Sequence, residues 1–294
     1  MYELIQAAAR SYYLDCPVKI GLYVEDDGGA VLIDSGGDKD AGRRVRQLLE
    51  RQGWRLKAIV NTHAHADHIG GNHYLQAQTG CPIFAPAIEA AFARHAVLES
   101  SFLYGGYPCK ELRHKFLMAQ ESDVQPLSAP GFPAALTPIP LPGHAFDMTG
   151  YRTPDGVVYL GDCLSSEATL DKYGIPFIYD VGAYLDTLDA VAAMEGALFV
   201  PAHAPAAASI AGLARYNREK VQDVADRILA LCRTPLCFEG ILQALFVQYG
   251  LTMDFEQYAL VGSTVRSYLA WLKGTGRLEA RFAAGRLLWA ALPG

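Results

Sequence analysis

The chain has 294 residues, half of them hydrophobic, with 25 Lys and Arg against 31 Asp and Glu for a formal charge of −6. This composition excludes a disordered chain and gives no overall basic excess for nucleic acid. No stretch approaches the ~20 uninterrupted apolar residues of a membrane helix, and the start, Met1 to Ile5, lacks the pattern of a signal peptide. The cysteines Cys16, Cys81, Cys109, Cys163, Cys232 and Cys237 form no CxxC pair and are expected to be reduced, mostly buried thiols, in keeping with a cytoplasmic protein.

In chain order, Lys19 to Val24 and Ala30 to Ile33 read as a hairpin around Asp26-Asp27-Gly28-Gly29, Ala41 to Gln52 as a helix and Leu56 to Asn61 as a strand. A helix over Asn72 to Gln78, a strand at Pro82 to Phe84 and a helix over Ala87 to Arg94 follow. Later strands fall near Ala134 to Pro140, Met148 to Arg152 and Val157 to Leu160. Near-continuous apolar strands alternating with helices imply sheets covered by helices, an α/β design. Residues 93–130 interrupt the rhythm with Ser101-Phe102-Leu103-Tyr104-Gly105-Gly106-Tyr107-Pro108, then Lys110, Arg113, His114 and Lys115. Beyond residue 210 the pattern is helical. Val221, Val224, Ala225, Ile228 and Leu229 mark one helix, Ile241, Leu242, Leu245 and Phe246 a second, and Val265, Tyr268, Leu269 and Leu272 a third, before two strands at Arg277 to Phe282 and Arg286 to Ala290.

The chemistry concentrates in Thr62-His63-Ala64-His65-Ala66-Asp67-His68-Ile69-Gly70-Gly71, entered from the apolar run Leu56 to Val60. Alternate residues of an extended chain point the same way, so His63 and His65 can share one ion. Asp67 and His68 fall where the chain turns, and Gly70-Gly71 lets the backbone pass tightly into a helix. Three further segments each place one metal-competent residue at a strand end: Leu141-Pro142-Gly143-His144, Tyr159-Leu160-Gly161-Asp162 and Phe199-Val200-Pro201-Ala202-His203. Together they complete two sites. His63, His65 and His144 can make one with an open position, Asp67, His68 and His203 another, and Asp162, with two oxygens, can bridge the pair. His73, His95 and His114 have no comparable setting.

These blocks resemble, in order and spacing, the motifs of the metallo-β-lactamase superfamily over about residues 1–210. The resemblance implies an αββα sandwich, assigns His63, His65 and His144 to site one and Asp67, His68 and His203 to site two with Asp162 bridging, and makes Asp34, at the end of Val31-Leu32-Ile33, a supporting residue beneath the metals. It further implies that two divalent ions, zinc first and iron or manganese as alternatives, hold a hydroxide that attacks the substrate, with Asp67 as the catalytic carboxylate that orients it and moves its proton. Asp162 and His68 resemble the glyoxalase-II-like hydrolases, and His65 stands where diiron oxygen reductases of the family carry glutamate. No equivalent of the basic cluster that holds glutathione is evident. By analogy, residues 93–130 form either a lid over the substrate, with Tyr104 and Tyr107 as walls and Lys110 and His114 as anion contacts, or a solvated helix with a packed aromatic loop.

Residues 211–294 resemble the winged-helix module found behind some hydrolases of this fold. Residues 212–294 carry 10 Lys and Arg against 7 Asp and Glu, too mild an excess for a nucleic-acid stripe. The module is therefore expected to pack on the catalytic domain or on a second copy in a homodimer. The function expected is dinuclear hydrolysis of a small ester or thioester. The alternatives are a nucleic-acid phosphodiesterase, an iron persulfide dioxygenase and a metal-stabilised binding module without turnover.

Overall fold

The computed structural model describes residues 2–293. Strands β1 (Glu3–Gln6), β2 (Ser11–Asp15), β3 (Ile20–Val24) and β4 (Gly29–Ile33) lead into α1 (Lys39–Gln52), β5 (Arg55–Val60), α2 (Ala66–Ile69), α3 (Asn72–Thr79), β6 (Ile83–Ala85), α4 (Ala87–Arg94) and α5 (Val97–Tyr104). Next come β7 (Val124–Pro126), β8 (Thr137–Pro140), β9 (Thr149–Arg152), β10 (Val157–Ser165), α6 (Glu167–Tyr173), α7 (Val181–Ala192) and β11 (Leu198–His203). The C-terminal region is α8 (Ala211–Leu231), α9 (Phe238–Tyr249) and α10 (Phe255–Gly274), closed by the hairpin β12 (Leu278–Ala283) and β13 (Arg286–Ala291).

The first seven strands form one sheet in chain order, antiparallel through β4 and parallel from β4 to β7. The second sheet runs β11-β10-β9-β8 and is parallel only between β10 and β11. Side-chain alternation explains the layers. On β4, Val31 and Ile33 face inward to meet Tyr151, Val157, Tyr159 and Val200 of the second sheet. Ala30 and Leu32 face outward onto Val45, Leu48 and Leu49 of α1. On β10, Val157 and Tyr159 face inward while Val158 and Leu160 join α7 to α10 in the largest apolar cluster. Two sheets that are apolar on both faces need a helical layer on each side, and the αββα order results.

That largest cluster runs from Leu141 and Leu160 through Val224, Leu245 and Leu269, without a break at residue 210. The C-terminal helices therefore bury the outer face of the second sheet. Within 93–130, α5 and a short 3-10 turn at Lys110–Leu112 pack Leu103, Leu112 and Leu117 on Ala259 of α10. Helix α8 begins ten residues earlier than Val221, because Asn217 on its charged N-terminal half is buried against Ser165 through two hydrogen bonds.

Candidate metal centre

The HxHxDH block leaves β5 and turns into α2, while His144 lies beyond β8, Asp162 on β10 and His203 at the end of β11. Strand ends from both sheets thus converge. The metal-competent atoms of His63, His65, His144 and Asp162 lie within 4.8 Å of one another, as do those of Asp67, His68, Asp162 and His203. All seven side chains singled out from the motifs meet in one cluster, in the two groups expected, with Asp162 common to both.

The surrounding structure fixes the imidazoles of His63, His68 and His144 by one nitrogen and points the other at the centre. His68 Nδ1–H donates to Asp34 Oδ2 at 2.8 Å. The Thr62 hydroxyl donates to the same oxygen at 2.8 Å, so its own oxygen accepts from His63 Nδ1–H at 3.0 Å. His144 Nδ1–H donates to the Phe177 carbonyl at 3.1 Å, and His65 Nε2 faces Glu99 at 3.6 Å. Inward, His65 Nδ1 lies 3.0 Å from both His63 Nε2 and His144 Nε2. His68 Nε2 and Asp162 Oδ1 are buried, 3.0 Å apart and without a hydrogen-bond partner. Lone pairs from histidine and aspartate converging in this way suit a divalent cation, so the residues fit the ions that the motifs imply.

The electrostatics agree. Burial, with neighbouring imidazoles, holds His63 and His144 below the usual histidine range and His65 down to about 3, leaving them neutral. On the other side His203 is pushed up to about 10, chiefly by Asp162. Burial opposes charge on His68, yet Asp162, Asp67 and Asp34 together raise it well above its ordinary value. The aspartates therefore demand positive charge at the centre, and a divalent ion supplies it as effectively as protonated imidazole.

Backbone geometry holds the parts in place. Asp34 is buried at φ 63°, a left-handed conformation uncommon outside glycine, and also accepts from Thr62 N–H at 2.8 Å. A Cβ on Gly70 would stand 2.3 Å from the carbonyl carbon of Gly37, so only glycine lets the two loops touch. The Gly70-Gly71 pair thus serves close backbone contact and carries the chain from α2 into α3, which begins at Asn72 directly after Gly71.

Some contributors carry no motif. Glu89 on α4 is buried and accepts from Ala64 N–H at 2.8 Å, bracing the loop between His63 and His65. A glutamate beside Ala90 and Ala93 on the apolar face of a helix is the one signal that could have exposed it. Glu99, Phe177 and the α10 residues Glu256, Gln257 and Leu260 had none.

Two cavities adjoin the cluster and meet at Phe177 and Leu260. One, of about 310 Å³, reaches His65, Asp67, Glu99 and Glu256; the other, of about 430 Å³, reaches His203. None of the four side chains expected to contact substrate lines either. Tyr104 lines a separate depression of about 680 Å³ with Arg266 and Trp271, while Tyr107 is exposed and lies against Arg113. Lys110 is exposed on the 3-10 turn, and His114 approaches the cleft only by pairing with Glu256 at 3.3 Å. Packing of α5 and its following turn against α10 accounts for these positions.

A two-sheet sandwich with a doubled histidine and aspartate cluster at its strand ends defines a scaffold suited to binding metal. The sequence profile of the metallo-beta-lactamase superfamily matches residues 15–203, and the chain belongs to that superfamily. Among curated relatives, a hydroxyacylglutathione hydrolase of Methylobacillus flagellatus is 30% identical over 138 residues, covering 47% of this chain and 44% of the relative. Another of the same name from Methylococcus capsulatus is 45% identical over 53 residues, 18% of this chain and 19% of the relative. The chain thus spans less than half the length of the curated relatives it matches. A beta-lactamase domain protein from Burkholderia ambifaria superposes with a TM-score of 0.71 at 18% identity, covering 99% of this chain and 94% of the other. A metallo-beta-lactamase family protein from Thermus thermophilus gives 0.72 at 20% identity, covering 94% of both. The C-terminal helical region is therefore part of a fold seen elsewhere.

Proposed function

We propose that the chain is a metal-dependent hydrolase that holds two divalent ions, zinc by preference, and cleaves a small ester or thioester. His63, His65 and His144 would hold one ion, Asp67, His68 and His203 the other, and Asp162 both. The observation that carries the reading is the doubled cluster, in which outer hydrogen bonds on His63, His68 and His144 direct the remaining nitrogen inward. Bound there, such ions would supply Lewis acidity and make water reactive near neutral pH.

The chain's own residues do the rest. Asp67 is 43% exposed at its side chain and borders the smaller cavity, where it orients the attacking water and takes up its proton. Cys163 is fully buried and burial holds its thiol protonated, so it is no nucleophile. Thioester chemistry is supported by the relatives named hydroxyacylglutathione hydrolase. In residues 211–294, which we read as a winged-helix-like packing domain behind a catalytic domain of 1–210, Arg266 stacks on Phe238, Arg277 on Trp271, and Arg281 pairs with Glu279. Cations so engaged favour a small-molecule substrate over nucleic acid.

Elemental analysis of protein purified without chelator should give two equivalents of metal per chain, and a screen of thioesters, lactones and phosphodiesters should find turnover among the first two. Saturation at one equivalent, unchanged by Asp67→Ala or His203→Ala, would refute the dinuclear site.

A further inference from the structure

The two cavities that meet at Phe177 and Leu260 differ in character. The larger, beside His203, is walled by Leu170, Ile175, Pro176, Leu260 and Val261, and its polar groups are uncharged apart from His203 itself. The smaller, beside His65 and Asp67, presents the carboxyl of Glu99, which burial pushes up to about 8, and the carboxylate of Glu256, with the rings of Phe116 and Phe177. Neither is lined by a lysine or an arginine. The cations nearby are engaged: Lys115 pairs with Asp38 at 3.2 Å, His114 with Glu256 at 3.3 Å, and Lys172 lies over the Tyr173 ring at 4.7 Å.

A bond held at the cluster therefore has an apolar chamber on one side and an acidic one on the other. We propose that the substrate is an ester or thioester with an apolar acyl chain, seated beside His203, and a leaving group without negative charge, seated beside Glu99 and Glu256. This deepens the hydrolase reading and rests on it. An anionic leaving group would meet the Glu256 carboxylate and the buried carboxyl of Glu99, which cannot neutralise it, with no lysine or arginine in the lining to receive it, at the close range where like charges are least screened. The acyl chamber lies within the ~300–1,000 Å³ usual for small-molecule sites. The specificity elements sit on α10, whose Glu256, Gln257, Leu260 and Val261 divide between the two chambers.

The test uses the full-length, metal-loaded enzyme with thioesters of N-acetylcysteamine bearing acetyl, butyryl, hexanoyl and octanoyl groups, and the same acyl groups on glutathione. Transfer of each methylene into an apolar chamber predicts that kcat/KM rises about two- to fourfold per added CH2 until the chamber is full. At equal acyl length the neutral carrier should lead glutathione by about tenfold. Gln257→Trp, whose side chain reaches into the acyl chamber, should lower the octanoyl-to-acetyl ratio, and Glu256→Lys should raise the glutathione-to-neutral ratio. Binding of the non-hydrolysable S-octyl thioethers of both carriers, measured by calorimetry, gives a readout independent of turnover. Rates flat or falling with acyl length, tighter binding of S-octylglutathione, or ratios unmoved by the two substitutions would overturn the proposal. Absence of any ester or thioester turnover, with S-octyl-N-acetylcysteamine still bound in preference, would refute the hydrolase reading while sustaining the assignment of the chambers.

Discussion

Asp34→Asn isolates what lies beneath the cluster. Asparagine keeps the side chain's shape and, like aspartate, tolerates the left-handed backbone at φ 63°. Its oxygen can still accept from Thr62 N–H, but its amide nitrogen then faces the Thr62 hydroxyl and His68 Nδ1–H, both donors in the native arrangement. Two hydrogen bonds to a charged acceptor, each worth ~1.5–3 kcal/mol, are lost. The carboxylate's own burial penalty is relieved in exchange, leaving a net destabilisation of about 2–4 kcal/mol. His68 can escape the clash only by carrying its proton on Nε2, where it blocks the inward lone pair, so zinc affinity at that group should fall about 10–100-fold. Asp34→Ala should be worse by roughly 1 kcal/mol, since alanine also strains the backbone. Urea unfolding of chelator-treated protein reads the first effect as a lower midpoint at constant m-value, and zinc calorimetry reads the second. An apo destabilisation below about 1 kcal/mol together with an unchanged zinc isotherm would refute this account.

Asp67→Ala should reduce hydrolysis by at least ~100-fold. Its half-exposed pairing with His203 contributes little to folding, so melting temperatures of metal-depleted wild type and variant should agree within a few degrees; retained activity would remove Asp67 from catalysis. Glu89 predicts a pH dependence. Burial raises its carboxyl to about 7 from 4.5, so the folded state holds the proton more tightly than the unfolded chain. Its contribution is therefore fully present below about pH 4.5 and is lost as pH rises through 7, a change of about 3 kcal/mol in metal-depleted protein. Glu89→Gln should flatten the stability profile across that window, and an unaltered slope would show that Glu89 does not titrate there. Labelled RNA or DNA should not bind at physiological salt. Micromolar binding with a steep salt slope, abolished by replacing Arg266, Lys273, Arg277 and Arg281, would promote a phosphodiesterase instead.

The metal cluster was legible because its chemistry needs particular side chains at particular spacings. His63, His65, Asp67 and His68 announce themselves within six residues, while His144 follows β8, Asp162 lies within the apolar β10 and His203 ends β11, each in a recognisable segment. The hairpin of β3 and β4 and the α1 and β5 pair were readable from periodicity. Strands β1 and β2 were not, since β1 is a four-residue, partly exposed edge strand whose partner supplies its register. The substrate walls were harder still. Tyr104, Tyr107, Lys110 and His114 have suitable chemistry, but their positions depend on how α5 packs against α10, some 150 residues later. Leu260 and Gln257 look like ordinary helix residues until the fold brings α10 over the strand ends. Long-range packing leaves no local trace.

The cluster draws His63, His65, Asp67 and His68 from the first sheet and His144, Asp162 and His203 from the second. An ion bound there would act as a rivet between the two halves of the sandwich. Binding to the native arrangement alone adds RT ln(1 + [L]/Kd) to stability, about 4 kcal/mol at a thousandfold excess over Kd. In the metal-loaded protein, resistance to heat and proteolysis would become a record of metal supply, and separation of the sheets and release of bound metal would become one event.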